Sequence, residues 1–296
     1  MNTGVKLTLP PFILDKGEQL YLCVDGGQIP ELARQLYGLA GELDLEAIYL
    51  FQPYDTLKSV SPYVIRATEP VEQWFLAQNK PLSGYFFASA LPLNVICSQM
   101  RRLIRIQSPY GSQVFFKLAH SEAAWVLLDT HMPQLWQSMT QAWLPTRDGW
   151  RHLRQPEMAD TQISPDIKLS DEQWRRLGQI SWCNIQKSIA RHMMKYFPTR
   201  WAELQEPQAW VARWADIAYQ KGFCIERDLL MFFNIIGFLG EAALTGAAYP
   251  DIRLLVDTPS ALPPTQRIEQ AAELAFQYSQ PKPASAATQQ QEESAV

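Results

Sequence analysis

Short apolar runs rich in β-branched and aromatic residues recur along the first half of the chain. Such runs are typical of buried strands. Between them, apolar residues return every three or four positions, which predicts helices at Ile29–Leu39, Val71–Gln78 and Leu93–Ile104. Alternation of the two element types predicts a compact α/β domain, a mixed sheet with packed helices. The predicted strands are Leu20–Val24, Ala47–Phe51, Tyr63–Arg66, Tyr85–Ser89 and Val114–Leu118.

A polar, proline-containing segment from Pro145 to Leu169 follows the last α/β pattern, at Glu122–Trp143. We place a domain boundary in this segment. Its stretch Gly149–Leu153 is compatible with an edge strand added to the first domain.

The second half has the spacing of helices only. Ser170 and Gln173 form a capping-box pattern, which predicts the start of a long helix that ends before Pro198. Further helices are predicted from Pro207 to Gly222, at Glu226–Leu244 and at Arg267–Tyr278. The apolar face of the long helix is predicted to carry Trp174, Leu177, Ile185, Ile189 and Met193.

These patterns predict an α/β domain at residues 1–155, a linker at 156–169, an all-α helical domain at 170–280 and a disordered tail at 281–296. The tail is rich in Gln, Ala and Ser and lacks the apolar content needed to offset the entropy of ordering. We expect it to be dispensable for folding.

Composition narrows the function classes. Hydrophobic residues make up 47 % of the 296 positions, enough for a sizeable core. The formal net charge of −4 is small and neither half is a polycation, so nucleic acid is not an expected partner. The longest apolar run, Leu229–Gly240, is too short to span a bilayer and predicts a buried helix. The N-terminus has no continuous apolar core, so we expect no secretory signal.

The cysteines lie far apart in apolar contexts and form no CxxC pair. They are interpreted as reduced core thiols of a cytoplasmic protein. They are Cys23, Cys97, Cys183 and Cys224.

Patterns that carry chemistry are weak. Gly26 and Gly27 lie between a strand and a helix, but they are part of neither GxGxxG nor a P-loop, so we interpret them as a tight turn with a positive φ at glycine. His120, Asp129 and His131 have metal-like composition without a supporting motif. GxSxG is absent from the chain. We therefore expect no cofactor, no metal and no enzymatic activity.

The chain has ten tryptophans, most of them expected in the core. Trp210, Arg213 and Trp214 combine the residue types that are enriched at interface hot spots. Two interpretations stay open for this group: internal packing of a helix, or contact with a partner. Gly237, Gly240 and Gly246 predict close packing around an apolar helix rather than a membrane role.

The order of segments in residues 20 to 118 resembles the N-terminal domain of type VI secretion adaptors, the Tap or Tec family, catalogued as a domain of unknown function. The resemblance extends through Asp148-Gly149-Trp150 into the helical part, and departs at Lys117-Leu118-Ala119-His120, where family members often have arginine, an aromatic residue and Asp-Pro. The matching pieces are Tyr21-Leu22-Cys23-Val24-Asp25-Gly26, Tyr49-Leu50-Phe51, Ser61-Pro62-Tyr63-Val64, Gly84-Tyr85-Phe86-Phe87-Ala88-Ser89, Met100-Arg101-Arg102-Leu103, and Pro109-Tyr110-Gly111 before Val114-Phe115-Phe116-Lys117.

The resemblance implies a non-enzymatic cytoplasmic adaptor or chaperone that binds a toxic effector and promotes its loading onto a VgrG spike. It implies no catalytic residues. Two alternatives remain at this stage: an enzyme that modifies the effector or a small molecule, using the glycine turn and His120 or His131, and a structural component of the secretion machine.

Overall fold

The computed structural model describes residues 8–39, 41, 43–157 and 166–280. These residues form two compact units that divide between Ile180 and Ser181. We call them the N-terminal unit and the helical unit. The predicted tail at 281–296 and most of the predicted linker lie outside the described residues.

The N-terminal unit is an α/β structure. Its strands are β1 (Gln19–Val24), β2 (Leu45–Ala47), β3 (Tyr63–Arg66), β4 (Gly84–Ser89), β5 (Arg105–Gln107), β6 (Gln113–Phe115), β7 (Gln141–Thr146) and β8 (Gly149–Arg154). Its helices are α1 (Leu32–Tyr37), α2 (Glu69–Ala77), α3 (Leu93–Arg101), α4 (Ser121–Asp129), α5 (Pro133–Trp136) and the first part of α6 (Asp171–Tyr196).

Six strands form one sheet in the order β2-β3-β1-β4-β7-β8, with every neighbouring pair antiparallel. Alternate side chains of β1 enter opposite cores. Leu20, Leu22 and Val24 join the core that contains α1 and α2, whereas Tyr21 and Cys23 join the core that contains α3, α4 and α5. Because the central strands are buried on both faces, they read as continuous apolar runs rather than as alternating ones.

The β5–β6 hairpin is a second, smaller sheet. Ile106 of its inner face is buried, while Arg105 lies opposite Phe115 across the two strands. The outer side of β5 is held by residues 167–169, since Gln107 exchanges backbone hydrogen bonds with Ile167 and Leu169 at 2.8 Å each.

The helical unit continues α6 and adds α7 (Pro198–Ala202), α8 (Pro207–Gln220), α9 (Glu226–Leu239), α10 (Ala242–Thr245), α11 (Pro250–Asp257) and α12 (Pro264–Ser279). The apolar helix α9 packs against α8 and α12. Its buried residues include Leu229, Phe232, Phe233, Ile235 and Ile236, so the prediction of a buried helix is confirmed.

The predicted fold class is confirmed: a sheet with packed helices precedes an all-helical region. The capping box is present, because the Ser170 N–H donates to Gln173 Oε1 at 2.8 Å and the Gln173 N–H donates to Ser170 Oγ at 3.2 Å. The stretch at Gly149–Leu153 is an edge strand, β8. The predicted domain limits place the division earlier than the boundary between Ile180 and Ser181, and they stay a prediction.

Several element predictions were wrong in detail. The strand expected at Ala47–Phe51 ends at Ala47, and the one expected at Val114–Leu118 ends at Phe115. The helix expected at Glu226–Leu244 is interrupted at Gly240, whose φ of +83° no longer continues α9. Trp174, predicted on the apolar face of α6, is exposed, and Gln173 is buried beside it. The short helices α7 and α11 were not predicted.

Candidate partner-binding surfaces

Trp210 on α8 is an internal side chain. It is buried, its ring centre lies 5.4 Å from that of Phe233, and its Nε1–H donates to Glu241 Oε1 at 2.5 Å. The ring therefore fixes α8 to α9 and to the residue that precedes α10. Of the two interpretations of this group, packing describes Trp210.

Trp214 and Arg213, on the same helix, have different surroundings. Trp214 is buried, with its ring 6.1 Å from Phe232. The Arg213 side chain is 60 % exposed, lies over the Trp214 ring at 5.6 Å and is 3.4 Å from the Glu241 carboxylate. Arg213 is thus the member of the predicted group that is open to a partner, and it also has an internal ion-pair partner.

The N-terminal unit carries a larger exposed cluster on the side of α3 and the β5–β6 hairpin. We name it the arginine–aromatic surface and define it as Phe51, Tyr54, Arg101, Arg105 and Phe115. Phe51 is 59 % exposed and Phe115 is 46 % exposed. Exposed apolar side chains that lie together in one patch are typical of interaction sites, whereas singly exposed ones are common on any protein surface.

Two of the three aromatic rings of this surface, those of Tyr54 and Phe115, lie against a buried tyrosine. The ring centre of Tyr49 lies 5.6 Å from Phe115 and 6.1 Å from Tyr54, and those two rings are 6.0 Å apart. Pairs at these distances add about 0.5–1.5 kcal/mol beyond the area they bury. The rings of Tyr49, Tyr54 and Phe115 therefore hold each other in fixed positions.

Arg101, the last residue of α3, holds the segment that leads to Phe51. Its Nε donates to the Ile48 carbonyl at 3.0 Å, and one terminal nitrogen donates to the Ala47 carbonyl at 2.8 Å and to Glu46 Oε1. The guanidinium carbon lies 4.9 Å from the centre of the Phe51 ring. The planar fork of arginine makes these contacts at once, which a single ammonium group does not.

Arg105 has no comparable anchor. It is exposed, its guanidinium carbon lies 6.0 Å from the Tyr54 ring, and it forms no salt bridge with a carboxylate in the part of the chain that the structure describes. The charge of Arg101 is balanced by Glu46. The uncompensated positive charge of the surface therefore belongs to Arg105.

The glycine turn after β1 packs against Ser61, which is hydrogen-bonded to Tyr49 next to this surface. Neither Gly26 nor Gly27 has a positive φ, so that part of the interpretation was wrong. Glycine is needed for a close approach instead: a Cβ at Gly26 would lie 2.3 Å from the Ser61 carbonyl oxygen. Ser61 in turn accepts a hydrogen bond from the Tyr49 N–H at 2.9 Å through its hydroxyl.

The predicted metal-like residues lie at the two ends of α4. His120 is buried and precedes the first residue of the helix, whereas Asp129 is its last residue and pairs with Arg176 at 2.7 Å. His131 follows α4 in a left-handed conformation with φ +57°. Nine helical residues separate the ends by about 13 Å. Within the described ranges, no group of three or more potential ligands could hold a metal ion.

His120 has a further feature. Burial lowers the pKa of its imidazole, and Lys117 and Arg147 add to this effect against Glu122 and Asp25. Its Nδ1 makes no hydrogen bond.

The cysteines are all free, and burial raises the pKa of the Cys97 thiol to about 12. Cys23 and Cys97 are core residues as predicted, but Cys183 is half-buried and Cys224 is exposed. In the turn before α9, Phe223 is buried and its neighbour Cys224 is exposed. The prediction of four core thiols was therefore wrong for Cys183 and Cys224.

No helix among the described residues is long and apolar enough to cross a bilayer.

Comparison with known proteins places the chain in a family. Residues 20–138, from β1 to just past α5, match the model of the domain of unknown function DUF4123. Accessory protein VasW of Vibrio cholerae is 50 % identical over 273 residues, which cover 92 % of each chain. The chain belongs to the DUF4123 family. No solved structure matches it.

The family recognition made from the order of segments is thereby confirmed. The matched DUF4123 residues include every member of the arginine–aromatic surface. Three of the quoted pieces, Tyr49-Leu50-Phe51, Met100-Arg101-Arg102-Leu103 and Val114-Phe115-Phe116-Lys117, contribute to that surface. Sequence patterns did not predict that these pieces meet, because each piece was interpreted as part of a buried strand or helix.

Proposed function

We propose that this member of the DUF4123 family is a non-enzymatic adaptor of type VI secretion, which binds a toxic effector in the cytoplasm and brings it to a VgrG spike. The observation that carries the proposal is the arginine–aromatic surface. It presents exposed phenylalanines next to arginine on a preformed backbone, the combination found at the centres of protein interfaces.

The similarity to a protein named as an accessory protein supports the same role. An effector awaiting export needs its apolar surface shielded from aggregation, and a face of exposed aromatic and arginine side chains can provide this. Exposed Arg213 on α8 is proposed as a second contact for the effector. Trp210 and Trp214, which are buried, would support that contact by holding α8 in place.

Capture of the effector tests this proposal. The full chain would be co-expressed with a candidate effector and a candidate VgrG from the same genome, and retention of both on the tagged chain would be measured. Phe51→Ser combined with Phe115→Ser should weaken effector retention by at least about thirtyfold, the loss of one hot spot. Tyr37→Ser is the matched control, since Tyr37 is 69 % exposed on α1 beside the other core.

Arg213→Ala should weaken capture to a smaller extent, with circular dichroism and melting close to wild type. If the wild-type chain retains neither the candidate effector nor the candidate VgrG, the adaptor proposal is wrong. The non-enzymatic part is tested separately, by heating the protein with nucleotides and divalent metals. A ligand at 100 times its Kd stabilises by about 2.7 kcal/mol, and a clear shift would favour the enzyme alternative.

A further inference from the structure

The arginine–aromatic surface has an apolar part and a charged part side by side. The apolar part is formed by Phe51 and Phe115, with Leu50 40 % exposed next to Phe51. The Phe115 ring lies over the buried Tyr49, with the ring centres 5.6 Å apart. A partner that covers the exposed side chains must bring apolar side chains of its own.

The charged part is the guanidinium of Arg105, which lies next to Phe115. Arg105 and Phe115 are directly opposite across β5 and β6, so their side chains are neighbours on one face of the hairpin. Arg101 contributes no free charge, since Glu46 neutralises it. One exposed, uncompensated guanidinium thus stands beside an exposed phenyl ring.

We propose that this surface binds a segment of a partner protein in which a large apolar side chain is adjacent to a carboxylate. The apolar group would cover Phe51 and Phe115, and the carboxylate would pair with Arg105. The inference rests on the proposed function, in which the effector supplies the segment. It adds the chemistry that the adaptor recognises.

Charge decides for a protein segment over a nucleic acid or a lipid surface. Binding to phosphates gains strength from several cations acting together. Of the two arginines that define this surface, Arg101 is paired with Glu46, and Arg105 forms no salt bridge among the described residues. One arginine next to aromatic rings favours a single carboxylate, which it can bind through two parallel hydrogen bonds.

The test uses the full chain and a pair of short fluorescein-labelled peptides. One carries phenylalanine–aspartate pairs in a glycine–serine background, and the other has asparagine in place of aspartate. Fluorescence anisotropy should show that the aspartate peptide binds about tenfold tighter than its amide counterpart, the usual value of a charge-assisted contact. Arg105→Gln should remove that difference, and Phe51→Ser should weaken both peptides.

Arg34→Gln is the matched control. Arg34 is an exposed arginine of the same unit on α1, beside the opposite core, and it should leave binding unchanged. Equal binding of the two peptides by the wild-type chain, or a preference for the aspartate peptide that persists in the Arg105→Gln variant, would overturn the inference. So would tighter binding of duplex DNA or of phosphatidylserine vesicles than of the aspartate peptide.

The two proposals fail in different ways. If the co-expressed effector is captured and Arg105→Gln captures it equally well, the inference is wrong while the adaptor function stands. If the wild-type chain captures no effector, the adaptor function itself is wrong, whatever the peptides show.

Discussion

The guanidinium of Arg101 lies over the ring of Phe51 and, in the same position, donates hydrogen bonds to the Ile48 and Ala47 carbonyls. One side chain therefore both fixes the backbone of a loop and covers one face of its exposed aromatic residue. This couples the stability of the loop to the shape of the arginine–aromatic surface.

Replacement of Arg101 should reveal that coupling. Arg101→Ala leaves two carbonyls and Glu46 without their donor, and should lower the free energy of unfolding of the N-terminal unit by about 2 kcal/mol. Urea denaturation followed by tryptophan fluorescence measures it. Arg101→Lys keeps the charge but loses the fork, so it should be intermediate. A lysine variant as stable as wild type would show that charge alone is sufficient.

The helical unit has a position where glycine is required by packing. A Cβ at Gly237 would lie 2.5 Å from the Phe197 ring, which is itself held by Phe238 at 5.0 Å. Gly237→Ala should therefore destabilise this unit by about 1–3 kcal/mol, the usual cost of overpacking. Thermal unfolding by circular dichroism is the measurement.

For Gly178 in α6, replacement by alanine is expected to raise stability. This glycine is exposed, and a Cβ there would meet nothing within 4 Å. Gly178→Ala should stabilise the protein by about 0.5–1 kcal/mol through helix propensity. If both alanine variants lower the melting temperature equally, the contact between Gly237 and Phe197 is not the cause.

The capping box at the start of α6 can be tested by removing one partner. Ser170→Ala loses the hydroxyl that accepts the Gln173 N–H, and should cost about 1 kcal/mol. Ser170→Asp keeps an acceptor at the N-cap and should remain close to wild type. Chemical denaturation midpoints compare the three proteins, and an aspartate variant as unstable as the alanine one would contradict the cap.

The buried His120 is expected to make the folded protein less stable at acidic pH. Because burial lowers its pKa, the unfolded chain binds more protons than the folded one below the ordinary value of about 6.5. Stability is therefore complete above that pH and falls as the pH drops through the interval between the two values. His120→Asn should flatten the dependence of melting temperature on pH between about 7 and 5.5.

His131→Asn serves as the control for replacing a histidine, since His131 is exposed and its left-handed backbone suits asparagine. His152 adds to the same acid-side loss, because burial lowers its pKa as well. An unchanged profile in His120→Asn would show that His120 is protonated in the folded protein without cost.

Prediction from sequence succeeded where local pattern and burial agree. The strand at Tyr63–Arg66 has the predicted bounds, and the helix that follows Ser170 is fixed by its own cap. The strand prediction at Ala47–Phe51 was wrong. The apolar residues of this segment predicted a buried strand, but Leu50 and Phe51 are exposed. Phe51, one of these two exposed residues, belongs to the proposed binding surface, and local rules of burial fail most often at functional sites.

The candidate sites were harder to predict than the fold. Trp210 and Trp214 have the composition of a hot spot, and sequence alone could not separate packing from binding. The arginine–aromatic surface is formed by residues that lie far apart in the chain, from Phe51 to Phe115. Its assembly depends on the docking of the β5–β6 hairpin against the segment after β2, a tertiary contact without a local signal.

Gly26 lies outside the arginine–aromatic surface, but its substitution is expected to change that surface. Its hydrogen lets the backbone at Ser61 approach, and the Ser61 hydroxyl accepts a hydrogen bond from the N–H of Tyr49, whose ring lies against Phe115. A screen for variants that lose partner capture should therefore recover substitutions of Gly26. Such variants would keep every residue of the arginine–aromatic surface. The substituted residue would then be a glycine that contacts no partner, because Gly26 affects the surface only through the position of the neighbouring loop.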